Sequence, residues 1–161
     1  MASNDRHCDS ISNREDRLCC HSNGSLPVSA TVSNTCAFGT ISTLDFGAYD
    51  PSVAHASTGS HLDAQTTFAL TCTDGASITI GLDNGTHASG GERFLDSGGN
   101  KLRYVLYSNA ARTTAWDSIT NLVSDTGTGS SKTYTVYGRI EKGQTAPVGS
   151  YSDTVSIKVN Y

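Results

Sequence analysis

The chain has 161 residues, enough for one domain and a short extra segment. Charged residues make up 16%, against about 25% in typical soluble domains, while Gly, Ser and Thr abound and Met and Trp occur once each. That mix suits short strands joined by small polar turns. A net charge of −4 gives no electrostatic reason to expect nucleic acid or an acidic membrane as partner, and no apolar run is long enough to span a bilayer.

Residues 1–24 are polar and charged, with Arg6, Arg14, Glu15, Asp16 and Arg17. They hold three of the five cysteines (Cys8, Cys19 and Cys20) and lack the apolar stretch of a secretory signal. The expectation is a disordered segment, or one foreign to the mature protein. His7, Cys8, Cys19, Cys20 and His21 are metal-ligand types, but their spacing matches no zinc pattern, and no metal site is expected.

From Leu26 onward apolar residues recur with period two, the mark of strands with one buried face. Leu26, Val28, Ala30 and Val32 come first, and their parity continues to Cys36 and Phe38. Phe68, Leu70 and Cys72 follow, then Ile78, Ile80 and Leu82, then Leu102, Tyr104 and Leu106. Tyr134, Val136 and Ile140 form another set, and Val155, Ile157, Val159 and Tyr161 close the chain. Turn signals separate the runs: Asp74-Gly75, Asn84-Gly85, Gly90-Gly91, Gly98-Gly99-Asn100, Lys142-Gly143 and Pro147-Val148-Gly149. Ala110 to Asn121 is where a short helical turn is expected. Six or more short strands with such turns argue for a β-sandwich.

Cys36 and Cys72 share the parity of their apolar faces and are expected to meet across the core. A lone pair in a low-charge, Thr-rich β domain reads as one disulfide formed outside the cytoplasm. The last apolar run reaches Tyr161 with no turn or return strand after it. This predicts an unfilled strand position, a hazard unless something covers it. Leu26 to Val32, before the first of the paired cysteines, is a strand to spare.

Catalytic patterns are missing. Asp63, Asp74, Asp83, Asp96, Asp125 and Asp153 sit mostly at strand ends beside Gly, Ser or Thr, where Asp serves turns. There is no G-x-S-x-G elbow, and Gly127-Thr-Gly129-Ser-Ser-Lys132 fits neither phosphate-loop pattern. His55, His61 and His87 fall in expected loops. Trp116 with Tyr104 and Tyr107 could stack on a sugar ring, which seeds a rival reading as a monomeric glycan-binding or adhesive module. A second rival is a spore-coat structural protein that packs without a chaperone.

An ordered set of motifs carries a resemblance. Val32-Ser-Asn-Thr-Cys36, Leu44-Asp-Phe-Gly47 with Tyr49, Phe68 to Cys72, Tyr104-Val-Leu-Tyr107 to Trp116, and Gly149-Ser-Tyr151-Ser-Asp153-Thr-Val155 through Val159-Asn-Tyr161 recur in order. Over roughly Val28 to Tyr161 the chain resembles the spore coat protein U domain, the fold of archaic chaperone–usher pilus subunits of the Csu type. The resemblance implies an incomplete immunoglobulin-like β-sandwich lacking its final strand. A periplasmic chaperone fills the groove first. At the outer-membrane usher, the N-terminal strand of the next identical subunit replaces it, head to tail.

Implied site residues follow. Cys36 and Cys72 correspond to the family's single disulfide. Leu26, Val28, Ala30 and Val32, within residues 25–33, are the donor strand. Val155, Ile157, Val159 and Tyr161 border the acceptor groove of a pilin domain over 34–161. The implied product is an extracellular surface fimbria serving adhesion and biofilm formation, reached through the periplasm, with no catalysis and no cofactor.

Overall fold

The computed structural model describes residues 22–161, so the histidines and cysteines of the first 21 residues, and the expectation about them, lie outside it. Two units are present, one ending at Thr31 and one spanning Val32–Tyr161. In the first, the described residues 22–31 carry neither helix nor strand, and Leu26 and Val28 are exposed.

The second unit is all β. Its strands are β1 (Cys36–Ile41), β2 (Leu62–Cys72), β3 (Ser77–Leu82), β4 (Arg93–Ser97), β5 (Asn100–Tyr107), β6 (Val123–Thr126), β7 (Ser131–Ile140) and β8 (Ile157–Asn160). They form a five-stranded sheet in the order β1-β2-β7-β5-β4 and a three-stranded sheet in the order β6-β3-β8. Every pairing is antiparallel.

The period-two residues make the core. Phe68, Leu70 and Cys72 of β2, Leu102, Tyr104 and Leu106 of β5, Val136 and Ile140 of β7, and Ile78, Ile80 and Leu82 of β3 are all buried. Phe68 stacks on Tyr134 with centroids 5.3 Å apart and tilts against Trp116 at 6.2 Å. The Trp116 indole N–H donates to the Ile80 carbonyl at 2.9 Å, while its backbone N–H donates to Leu106 at 2.8 Å. One side chain thus links both sheets.

Two expectations need correction. The helical turn over 110–121 does not form. Asn109 Oδ1 accepts the Thr113 and Thr114 amides, and Asp117 Oδ1 accepts those of Ile119, Thr120 and Asn121. These side-chain acceptors take amides that a helix would pair with its own carbonyls. The second concerns the cysteines, which do not meet across the core. Cys36 and Cys72 are directly opposite on neighbouring strands of one sheet, Cα atoms 4.1 Å apart, and are joined by a disulfide.

Glycine has a specific use at Gly138. It occupies an inward position of β7 between Val136 and Ile140, and a Cβ there would stand 2.7 Å from the Phe46 ring and 2.9 Å from Leu44. The missing side chain makes room for the connection between β1 and β2 to lay Leu44 and Phe46 onto the inner face of the larger sheet. Phe46 meets Tyr104 edge-on at 6.1 Å.

Candidate functional site

β1 ends the larger sheet and β8 ends the smaller one, and an apolar cleft of about 260 Å³ opens between these edges. One wall is Ile41 to Leu44 with Phe46; the other is Asp153, Thr154, Val155 and Ile157. Thr66, Thr67 and Phe68 of β2, with Leu82, Leu95, Tyr104, Leu106 and Val136, supply the rest of the lining. Ile41 is 56% exposed, a large apolar side chain left uncovered on a sheet edge.

The second wall is held by a polar cluster. The Asp153 side chain is 1% exposed. Its Oδ1 accepts from the Thr86 amide at 2.9 Å, the Thr86 hydroxyl at 2.8 Å and the His87 amide at 3.1 Å, with the His87 Nδ1 also at 3.1 Å. Oδ2 accepts from the Tyr104 hydroxyl at 2.7 Å. Burial alone would raise the Asp153 pKa, but the bonds from Tyr104, Thr86, and the Thr154 and His87 amides outweigh it and hold the carboxyl below its ordinary range. Burial first, and then the bond to Asp153, push Tyr104 well above a free tyrosine. Its hydroxyl therefore stays a donor.

Next to this cluster, Asp83 Oδ1 accepts the Ser156 amide at 2.8 Å and the Gly85 amide at 3.0 Å. Arg93, 6% exposed, donates to the carbonyls of Asp83, Leu82 and Trp116, each at 2.8 Å. A buried guanidinium bonded to three carbonyls costs far less than an unpaired one.

Of the residues singled out in the sequence, Val155 and Ile157 line the cleft. Val159 packs against the core, and Tyr161 is 57% exposed near Ser77, Ile78 and Thr79 of β3. Leu26, Val28 and Val32 are exposed at 84%, 87% and 83%. Trp116 is 1% exposed and spent on core contacts, so it offers no face to a sugar. Sequence reasoning overlooked the β1-side wall and the Tyr104–Asp153 pair. Two signals stood in the chain: the Leu44-Asp45-Phe46-Gly47 motif, and Gly138 breaking an otherwise apolar inward row.

Fold and cleft together define an immunoglobulin-like sandwich open along one strand position. The chain belongs to the Spore Coat Protein U domain family, whose sequence pattern matches residues 22–158. It is similar to Protein U of Myxococcus xanthus, 28% identical over 144 residues, covering 82% of this chain and 80% of that protein. Among solved structures it is similar to a chain of the CsuC–CsuE chaperone–tip adhesion subunit pre-assembly complex from archaic chaperone-usher Csu pili of Acinetobacter baumannii. That match has a TM-score of 0.59 and 20% identity, over 81% of this chain and 40% of the other, so this chain spans under half of that neighbour's length. The P pilus rod subunit PapA matches with a TM-score of 0.52 and 18% identity, over 78% of this chain and 98% of PapA.

Proposed function

We propose that the protein is a structural, non-enzymatic subunit of an extracellular filament, assembled by strand donation along a chaperone–usher route. The observation that carries this reading is the apolar cleft between two sheet edges, Ile41 on β1 and Ile157 on β8. A strand seated there would pair with both edges and lay alternate side chains onto Phe68, Leu82, Tyr104 and Leu106. Leu26, Val28, Ala30 and Val32 of a second copy have the matching period. Burying the three larger ones would yield about 1.5–3 kcal/mol each, less the cost of ordering the arm.

Each copy gives one strand and receives one, so the contact is heterologous and grows a fibre. A periplasmic chaperone and an outer-membrane usher are the assembly partners in this reading, and the cell surface is the destination. The test is a gel of the native surface fraction, unboiled and boiled, with intact mass on the boiled species. A ladder that collapses to monomer only on heating is expected. Monomer in both lanes, from oxidised protein, would refute strand donation and favour a monomeric binding module.

A further inference from the structure

One wall of the cleft lacks the support that the rest of the sandwich enjoys. Between Asp153 and Ser156 the chain belongs to no strand, because β8 begins at Ile157. Backbone bonds tie it to the 83–86 turn: Asp83 N–H to Ser156 at 3.0 Å and Thr86 N–H to Thr154 at 3.1 Å. That turn is itself outside any ladder. The larger sheet reaches the wall in two ways. Ser152, just before it, exchanges backbone bonds with Asp96 of β4 at 2.9 and 3.1 Å. The Tyr104 hydroxyl reaches Asp153 itself from β5, between β4 and β7, where Tyr104 also lines the cleft. Its 2.7 Å bond to Asp153 joins the rigid part of the lining to the unpaired wall. Gly85 leaves the seat free, for a Cβ there would overlap the Asp153 carboxylate.

We propose that Asp153 is a positioning residue for strand binding: through Tyr104 it sets the separation between the cleft's lining and its 153–157 wall, and so governs how firmly a seated strand is held. The inference rests on the strand-donation reading above. A bond that only stabilised the fold would affect strand retention no more than any other bond of equal worth. The molecule supplies a matched comparison. Tyr134 donates to Asp125 at 2.6 Å, also tyrosine to carboxylate, and neither residue lines the cleft.

The experiment uses filaments of the full, oxidised chain and a fluorescent peptide of the Ser25–Ser33 sequence in excess. The readout is the rate at which peptide replaces the neighbour's strand, with thermal unfolding measured in parallel. Tyr104→Phe should speed replacement at least tenfold and Tyr134→Phe less than twofold, a difference larger than the measured losses of thermal stability account for. Asp153→Asn, which keeps the shape and removes the charge, should follow Tyr104→Phe. Equal replacement rates for Tyr104→Phe and Tyr134→Phe would overturn the positioning role while leaving strand donation intact. Wild-type protein that neither polymerises nor takes up peptide would overturn strand donation, and this role with it.

Discussion

Gly138→Ala is a sharp probe of how the cleft is built. The added methyl would stand 2.7 and 3.0 Å from two Phe46 ring atoms and 2.9 Å from Leu44, against 3.4–4 Å for ordinary contact. The Leu44–Phe46 wall must move by several tenths of an ångström, and overpacking of this kind costs about 1–3 kcal/mol. Against that, replacing a strand glycine by alanine recovers about 0.5–1 kcal/mol. The net runs from about zero to a loss of about 2.5 kcal/mol, and a loss near the middle, about 1 kcal/mol, lowers Tm by about 2–4 °C for a domain of this size. In a Phe46→Ala background only the Leu44 contact at 2.9 Å remains, at the far end of a flexible side chain, so the same substitution should be close to neutral or stabilise by up to about 0.5–1 kcal/mol. The assay is a double-mutant cycle by denaturant unfolding of the four oxidised proteins. Additivity within about 0.5 kcal/mol would refute the packing of Phe46 over β7.

Three more predictions accompany it. Replacing both Cys36 and Cys72 by Ser opens a loop with a sequence separation of 36, and the chain-entropy relation gives a loss of about 3.8 kcal/mol in denaturant unfolding. Val28→Asp should abolish the heat-labile ladder on the unboiled gel and leave the monomer's near-ultraviolet circular dichroism unchanged, because Val28 is 87% exposed. Asp125 is held down to about 2, first by the Lys132 bond and then by Tyr134. A carboxyl depressed on folding contributes stability above its unfolded pKa of about 3.9 and loses it as pH falls through the folded value. Wild-type Tm should therefore fall more steeply than that of Asp125→Asn between pH 4 and 2, and parallel slopes would refute the bond's role.

Much of the sandwich was legible because half-buried strands write their burial into alternate positions, as β2, β3, β5 and β7 do. β4 and β6 were hidden for a physical reason. Their inward positions include Arg93 and Asp125, polar groups satisfied by buried carbonyls and by Tyr134, and no hydrophobic pattern marks them. The cysteines' parity showed that both turn inward but not that β1 and β2 are neighbours. Period two reports a face and says nothing of adjacency. The cleft suffered the same limit: Val155 and Ile157 could be read as one border, whereas Ile41, Phe46 and Tyr104 join it only through the sheet order. The stretch over 110–121 misled because Asn109 and Asp117 act as local acceptors, a competition that composition does not show.

The disulfide also bears on mechanics. Cys36 is the first residue of β1, where a pull on the preceding chain passes into the ladder once the Thr35–Thr73 bonds just before it have given way. Without the disulfide, such a pull would peel β1 from β2 one hydrogen bond at a time, starting at the loaded end. With Cys36 fastened to Cys72, tension passes into the last residue of β2, an eleven-residue strand paired along most of its length with β7. The load then runs along a strand of the sheet interior and shears many hydrogen bonds together, so the edge strand beside the cleft keeps its shape under tension.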